Sequence, residues 1–423
     1  GSARIYGSAQ VSDSAKVVGS ARVYGRSLVY GWARIVDEAR VAGSAEVFDL
    51  AWVCDGARVC GEARVYGSAW VAGLAEVSGE ARVKVKSHVM TLTSIGSKDS
   101  TVNLLTDYGF QIKDNGIGLY AKNTDTSTGT MNVKYTGTNA AGVVGTGAYF
   151  EMTGSPITNK LNINVENVPN ATEGMIGIYT KNGNFTNEGN VKITNTNTLG
   201  FGIISSGTDV TNKGDITLED SLNPTKPNIG MYTAGSSPLR NMGKITVGKN
   251  GIGIYAKNFS NGDSATLPNS TIEVGENGIG VYTESGNGHL ESGSIKAGKD
   301  GVGVYVAGNG GTIRATNTFN MTLGDGSSDA DKGAFGFVNV GSNNKIYSDI
   351  SNVTLQNNSI YIYSKDTSGT SANPQIINNT NITATGKNNY GIYSAGYAVN
   401  NGNMNLSAGT GNVGVYSVNG GTI

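Results

Sequence analysis

Residues 250–258 read NGIGIYAKN, and variants of this stretch recur along most of the chain. Clear copies are NGIGLYAKN at 115–123, MIGIYTKNG at 175–183, NIGMYTAGS at 228–236, NGIGVYTES at 277–285, DGVGVYVAG at 300–308, YGIYSAG at 390–396 and NVGVYSVNG at 412–420. The tyrosine of each copy defines position zero; these are Tyr120, Tyr179, Tyr232, Tyr255, Tyr282, Tyr305, Tyr393 and Tyr416. Weaker copies centre on Tyr149, Ile204, Val338 and Tyr363. The resulting mean spacing of about 27 residues is typical of a stacked repeat protein.

A second short run with strand-like alternation precedes the quoted stretch in each unit, as in GKITV at 243–247 and STIEV at 270–274. A glycine-containing corner joins the two runs, and a variable third stretch completes the unit. Helical periodicity is absent, and so is the leucine spacing of a leucine-rich repeat. The repeat therefore predicts an all-β fold, a parallel β-helix solenoid in which each unit forms one coil.

Strand alternation predicts which side chains of each copy face the core. The residues at positions −3, −1 and +1, such as Ile252, Ile254 and Ala256, share one face, which we assign to the core. Gly253 at position −2 and Tyr255 at zero share the other face. The tyrosines are therefore expected to stack outward as a ladder, one ring per coil and about 4.8 Å apart, beside a shallow furrow left by the glycines. The same assignment covers Ile279, Gly280 and Val281, and Val302, Gly303 and Val304.

The first 86 residues follow a different period, of six residues. Ala or Ser recurs from Ala3 to Ala81, Val or Ile recurs two places later, and Gly or Asp occupies most of the positions two places after that. The small and aliphatic residues share one side of a short strand, and Gly or Asp suits the turn that follows. This pattern resembles the left-handed parallel β-helix of hexapeptide-repeat proteins, which implies about 18 residues per coil. Many such proteins are acyltransferases with a catalytic His, but no hexad contains His, so we expect no acyl transfer.

Composition changes sharply near residue 87. Residues 1–86 contain no Asn, Thr, Pro or Met, yet hold all 3 Trp, both Cys and all the Arg except Arg240 and Arg314. We therefore predict two domains, a hexapeptide-repeat cap or fusion segment at 1–86 and a β-helical segment of about twelve coils at 87–423. Both chain ends have the character of cut ends, so we expect an expressed fragment. A natural two-domain protein is the alternative.

The cysteines and the histidine of the junction carry no predicted chemistry. Cys54 and Cys60 each follow a core valine, so both are expected to point outward from different faces as free thiols. His88, in the junction KVKSHVMTLT at 84–93, is expected to be incidental.

The repeats NGIGIY, NIGMYTAGS and GVGVYVAGNGGTI, with their Asn-, Thr- and Lys-rich spacing, are similar to passenger domains of large fusobacterial type V autotransporter adhesins (RadD-like). The resemblance covers about residues 100–423. It implies a right-handed β-helical stalk on the cell surface, anchored to the bacterial outer membrane by a C-terminal barrel absent from this chain. It also implies a function in coaggregation with other bacteria and in attachment to host cells. The absence of Cys after residue 87 fits a passenger that crosses the outer membrane unfolded. No binding residue of the family transfers by motif.

Enzymatic chemistry has little support in the sequence. β-Helical enzymes that degrade polysaccharides need clustered carboxylates, whereas the acids here are scattered at turns. The loop LGDGSSDADKG at 323–333 contains Asp325, Asp329 and Asp331, a weak candidate for a Ca²⁺ site without EF-hand spacing. We therefore predict that the chain is not an enzyme and has no cofactor.

Function is expected to reside on the outer surface. The partners predicted are surface proteins or glycans of other bacteria or host cells, with the tyrosine ladder as the candidate binding surface. A net charge of −1 gives no reason to expect nucleic acid or membrane contact, and we expect a monomer. Two alternatives stay open: a polysaccharide-degrading β-helix enzyme, and a purely structural stalk whose binding head lies elsewhere.

Overall fold

The fold was analysed in a computed structural model. It describes residues 2–67, 69–71, 76–77, 82–85, 91–92, 101–102, 108–112, 114–123, 125–126, 128–141, 144–263, 270–328 and 332–418. The described residues are all-β, and every pairing between their strands is parallel. The chain is thus a parallel β-solenoid, as the repeats predict; the handedness of its coils stays a prediction. No helix in these residues has the length and apolar character needed to cross a membrane.

The chain divides into two compact units, Gly1–Thr196 and Asn197–Ile423. The composition boundary near residue 87 lies inside the first unit, next to residues outside the described ranges. The predicted division into 1–86 and 87–423 therefore stays a prediction.

The hexad segment of the first unit forms three parallel sheets of very short strands. The first sheet contains β1 (Arg4–Ile5), β4 (Arg22–Val23), β7 (Arg40–Val41), β10 (Arg58–Val59) and β13 (Glu76–Val77). The second contains β2 (Gln10–Val11), β5 (Leu28–Val29), β8 (Glu46–Val47), β11 (Arg64–Gly67) and β14 (Arg82–Val85). The third contains β3 (Lys16–Val17), β6 (Arg34–Ile35), β9 (Trp52–Val53), β12 (Trp70–Val71) and β15 (Thr91–Leu92).

The hexad register agrees with the sequence pattern. Arg4 pairs with Arg22, a step of 18 residues, so three hexads complete one coil. The Ala and Val of each inner hexad are fully buried, as at Ala21 and Val23. Turn residues adopt positive φ, 57° at Asp13, and the Asp13 carboxylate accepts a hydrogen bond from the Gly31 amide one coil on. Asp therefore serves both as a turn residue and as a link between coils.

Cys54 and Cys60 form no disulfide bond, as predicted, and Cys54 is buried. Its exposed fraction is 5%, whereas Cys60 is half-buried. The burial of Cys54 does not contradict its predicted outward direction. Its position in the hexad faces away from the core, yet neighbouring groups cover it, among them the Asp55 carboxylate 3.8 Å from its Sγ. His88 lies outside the described residues.

The rest of the first unit has the longer repeat. Its strands are β16 (Thr101–Val102), β17 (Tyr108–Ile112), β18 (Ile117–Lys122), β19 (Asp125–Thr126), β20 (Gly129–Tyr135), β21 (Thr146–Glu151), β22 (Ile157–Asn159), β23 (Leu161–Glu166), β24 (Ile176–Asn187) and β25 (Val191–Thr194). We call β17, β20, β23 and β25 leading strands, because each leads into a copy of the NGIGIY motif. The copies themselves form β18, β21 and the first half of β24, which we call tyrosine strands.

The second unit continues with the same coil plan. Its leading strands are β27 (Ile216–Leu218), β30 (Lys244–Val247), β33 (Thr271–Val274), β36 (Gly293–Ala297), β39 (Phe319–Leu323), β42 (Asn352–Leu355), β45 (Asn381–Ala384) and β48 (Met404–Asn405). Its tyrosine strands are the first half of β26 (Phe201–Asn212), then β28 (Ile229–Thr233), β31 (Ile252–Tyr255), β34 (Ile279–Thr283), β37 (Val302–Val306), β40 (Ala334–Asn339), β43 (Ser359–Ser364), β46 (Tyr390–Ser394) and β49 (Val413–Ser417).

The variable third stretch of each unit also forms a strand, which we call the asparagine strand. In the second unit these are the second half of β26, then β29 (Leu239–Asn241), β32 (Phe259–Asn261), β35 (Asn287–Leu290), β38 (Thr312–Ala315), β41 (Lys345–Ser348), β44 (Ile376–Asn378) and β47 (Ala398–Asn400). Each coil of this part thus has three strands, where the sequence predicted two and an unassigned stretch.

A row of buried asparagines follows these third strands. Asn212, Asn241 and Asn261 are fully buried, and each amide donates to the next coil. Asn212 Nδ2 lies 3.1 Å from Asn241 Oδ1, and Asn241 Nδ2 lies 2.8 Å from Asn261 Oδ1. Asn241 Nδ2 also donates to the carbonyl of Gly243. The row therefore links successive coils and also donates hydrogen bonds to backbone carbonyls at the corner that follows.

The corners before several tyrosine strands use the left-handed backbone, as the Asn-Gly pairs predict. The residue with positive φ is the Asn or Asp, for instance Asn250 at 54°, Asn277 at 55° and Asp300 at 55°. Asn and Asp tolerate this conformation better than other residues with a side chain.

Candidate binding surface: the tyrosine ladder

Burial along the tyrosine strands confirms the central part of the predicted register. Ile254, in the strand Ile252–Tyr255, and Ala256, directly after it, are buried, with exposed fractions of 0% and 1%. Tyr255 between them is half-exposed. The same holds for the other tyrosines at position zero, of which Tyr416 is the most exposed at 45%. The tyrosines therefore face outward, as alternation predicts.

The first unit holds three rings of the ladder. Tyr120 and Tyr149 stack with their centroids 5.3 Å apart, and Tyr149 and Tyr179 stack at 5.0 Å. The weaker copy at Tyr149 is thus in register with the two clear ones, because the backbone pairs these tyrosines directly.

The second unit holds two runs of the ladder. In the first run the centroid distances are 5.2 Å for Tyr232–Tyr255, 4.8 Å for Tyr255–Tyr282 and 5.4 Å for Tyr282–Tyr305. In the second run they are 4.9 Å for Tyr363–Tyr393 and 5.1 Å for Tyr393–Tyr416. Val338 separates the runs, yet it pairs in register with Tyr305 on one side and Tyr363 on the other.

The predicted glycine furrow beside the ladder is wrong. A Cβ placed on Gly253 would lie 2.3 Å from Cγ2 of Ile272, a fully buried residue of the adjacent leading strand. A Cβ on Gly280 would likewise meet Ile295 Cγ2 at 2.8 Å. The glycines therefore face the interior, where only a residue without a side chain fits. The physical reason is that two successive residues, the glycine and the aliphatic residue after it, both point inward, so simple alternation fails at this point.

This failure of alternation also changes the burial of the residue at position −3. Ile252 is buried at 7% exposure, but Ile279 and Val302 are half-exposed rather than members of the core. Position −3 forms its own register row, in which Ile252 pairs with Ile279 and Ile279 with Val302. From Ile279 onward, the side chains of this row are therefore partly exposed.

Hydrogen bonds between coils fix the orientation of some rings. The Tyr120 hydroxyl donates to Glu151 Oε2 at 2.5 Å, and the Tyr255 hydroxyl donates to Glu284 Oε1 at 2.6 Å. Burial and these carboxylates hold the pKa of both tyrosines well above the usual value. The same hydrogen bond, followed by the charge of Lys122, lowers the pKa of Glu151.

The acidic loop offers no assembled metal site among its described residues. Asp325 Oδ1 accepts hydrogen bonds from the backbone amide and the side-chain amide of Asn357, at 3.0 and 2.8 Å. Its carboxylate therefore ties two coils together. Asp329 and Asp331 lie outside the described residues, so the weak Ca²⁺ candidate stays a prediction.

One group of potential metal ligands occurs in the described part of the chain. The ligand atoms of Asp37, Cys54 and Asp55 lie within 4.8 Å of one another at a hexad turn. Asp37 Oδ2 already accepts a hydrogen bond from the Asp55 amide at 3.3 Å. These contacts are those of the inter-coil turn link described above.

A charged row that sequence reasoning missed lies on the asparagine strands. Arg240 and Arg314, which are far apart in sequence, share one register row with the exposed His289 between them. Arg240 and His289 line a groove of about 630 Å³ together with Asp209 and Glu291. Both signs of charge occur there, so the groove has no bias toward anions or cations. The signal available in the sequence is the shared position of these residues, one residue before the last residue of each asparagine strand.

Comparisons of this chain with known protein families, with curated proteins and with solved structures found no match.

Proposed function

We propose that this chain is the passenger segment of a cell-surface adhesin. Its outer surface contacts surface proteins or glycans of other bacteria or host cells. It works through binding rather than catalysis, and a membrane barrel beyond this chain anchors it to the outer membrane. The family resemblance of its repeats motivates the adhesin assignment, and the exposed ladder supplies a contact surface.

One observation carries the proposal. Val338 takes the place of a tyrosine, and the coils on both sides of it keep their register. Tyrosine at position zero is therefore not required for stacking the coils, although it recurs in most of them. Its recurrence on the outer face is explained by contact with a partner, since tyrosine is enriched where proteins bind partners.

Direct attachment tests the proposal. The purified chain is immobilised, and binding of labelled bacteria of several species and of epithelial cells is measured against a surface coated with albumin. The proposal requires attachment of at least one cell type above the albumin control. Attachment equal to the control for every cell type would overturn it and favour a purely structural stalk.

A further inference from the structure

The row at position −3 carries two aromatic residues within three successive coils of the second unit. Its members are aliphatic at Ile279 and Val302, but Phe335 and Tyr390 are aromatic on either side of Ile360. All five side chains are half-exposed. Two aromatic residues therefore stand within three successive coils here, whereas Phe201, an aromatic residue in the same row, pairs with the aliphatic Ile229.

The loop before Phe335 departs from the repeat as well. Residues 324–333 connect β39 to β40, whereas residues 298–301 suffice for the same corner one coil earlier. Ser327 and Lys332 of this loop line an open pocket of about 360 Å³ together with the aromatic positions Phe335 and Tyr390. This volume lies within the range typical of small-ligand sites. Residues lining the pocket include Ser327, Lys332, Phe335, Asn358, Tyr363 and Tyr390.

The aromatic wall is held in place by neighbouring rings. Phe335 packs edge to face against Tyr363 at 5.9 Å, and Tyr363 stacks on Tyr393 at 4.9 Å. Tyr390 packs edge to face against Tyr393 at 6.2 Å. Because each ring is fixed before a ligand arrives, little conformational freedom is lost on binding.

The polar wall consists of amides and hydroxyls. Asn388 Nδ2 donates to Asn358 Oδ1 at 3.0 Å, and Asn358 Nδ2 donates to the Gly326 carbonyl at 2.9 Å. This relay fixes both amides while leaving each with further donor and acceptor capacity. The Ser327 hydroxyl is buried and has no hydrogen-bond partner among the described residues. The pocket thus combines apolar ring faces with groups that both donate and accept.

We propose that this pocket binds a pyranose sugar of a cell-surface glycan. A pyranose has an apolar face of C–H groups, which suits the rings of Phe335 and Tyr390. Its hydroxyls both donate and accept hydrogen bonds, which suits Asn358 and Asn388. The inference rests on the proposed adhesin function and names the ligand class of one site on the passenger.

Saturation-transfer difference NMR on the full chain tests the pocket. The probes are the methyl glycosides of glucose, galactose, mannose, N-acetylglucosamine and N-acetylgalactosamine. Transfer to at least one glycoside is expected, strongest at the C–H groups of one sugar face. Absence of transfer to all five would overturn the inference.

Variants locate the site. The double variant Phe335→Ile, Tyr390→Ile restores the residue type of Ile360 and should retain the fold, yet weaken glycoside binding at least tenfold. Asn388→Gly removes a side-chain amide at the corner and leaves the rings unchanged. Glycoside binding by this variant should also be weaker than that of the wild type. Thr354→Ser, at an exposed position of a leading strand outside both the pocket and the ladder, should bind as the wild type does. Unchanged binding in the folded double variant would overturn the inference.

The two proposals fail in different ways. If cells attach to the immobilised chain but no glycoside binds, the sugar pocket is wrong and the adhesin function stands. If a glycoside binds in the pocket but no cell attaches, the adhesin function is wrong and the pocket stands.

Discussion

Tyr255 donates a hydrogen bond to Glu284, although the two residues belong to successive coils; the distance from its hydroxyl to Glu284 Oε1 is 2.6 Å. In the first unit, Tyr120 and Glu151 repeat this relation. In each case the acceptor lies two residues after the next tyrosine of the ladder. The outward rings are therefore oriented by stacking and by a carboxylate on the adjacent coil.

The Tyr255–Glu284 contact predicts a loss of stability at alkaline pH. Burial, then the Glu284 hydrogen bond and charge, raise the folded pKa of Tyr255. The stabilisation is complete below the unfolded tyrosine pKa of about 10 and is lost as the pH rises through the folded value. In Tyr255→Phe and Glu284→Gln, the thermal midpoint should therefore fall less than in wild type between neutral and strongly alkaline pH. Identical pH profiles for all three proteins would refute the link.

The inward glycines predict a steric penalty. Gly253→Ala places a Cβ against Ile272 Cγ2 and the Gly280 carbonyl oxygen, at 2.3 and 2.5 Å. Overpacking of this kind costs about 1–3 kcal/mol, measurable by chemical denaturation. Gly235→Ala is the matched control, because its nearest neighbour atom is 3.6 Å away. Equal stability of the two variants would show that the glycines do not face the core.

The row of buried asparagines predicts that the stability of the fold depends strongly on their side-chain amides. Asn241→Leu, which introduces the residue type found in register at Leu290, removes the hydrogen bonds that Asn241 makes with Asn212 Nδ2, the Gly243 carbonyl and Asn261 Oδ1. Each lost hydrogen bond costs about 0.5–1.5 kcal/mol, so the free energy of unfolding should fall by about 2 kcal/mol or more. Asn352→Ala, at an exposed position of a leading strand, should change it by less than about 0.5 kcal/mol. Comparable losses in both variants would contradict the row's structural role.

The fold was predictable from the sequence because each repeat contains the core residues and turn residues that determine its own strands and corners. In the hexads, the Ala and Val of one strand and the Gly or Asp of one turn recur without insertion, so coil length follows directly. The tyrosine ladder was predictable because alternation holds between Ile254, Tyr255 and Ala256.

Other features depend on contacts that a single repeat does not contain. Alternation misplaces Gly253, because the absence of a side chain lets two successive residues face inward. The asparagine row needs a partner one coil away, although Asn two residues before Gly, as in TNKG at 211–214 and RNMG at 240–243, is a usable signal. The sugar pocket joins Ser327 to Tyr390, which share no repeat position.

The central claim is that the outward tyrosines bind a partner without being required for the fold. The triple variant Tyr255→Val, Tyr282→Val, Tyr305→Val copies the residue at Val338, which keeps the coils in register. Its control carries Thr→Ser changes at three exposed positions of leading strands, Thr322, Thr354 and Thr383.

Cell attachment and the thermal midpoint, measured together on both variants, decide the matter. Each lost stack is worth about 0.5–1.5 kcal/mol, so the midpoint of the triple valine variant should fall by no more than about 5 °C. Its cell attachment should fall at least tenfold, while the threonine control attaches as the wild type does. Attachment retained by the valine variant, with or without a lower midpoint, would contradict the account and leave the ladder a structural feature alone.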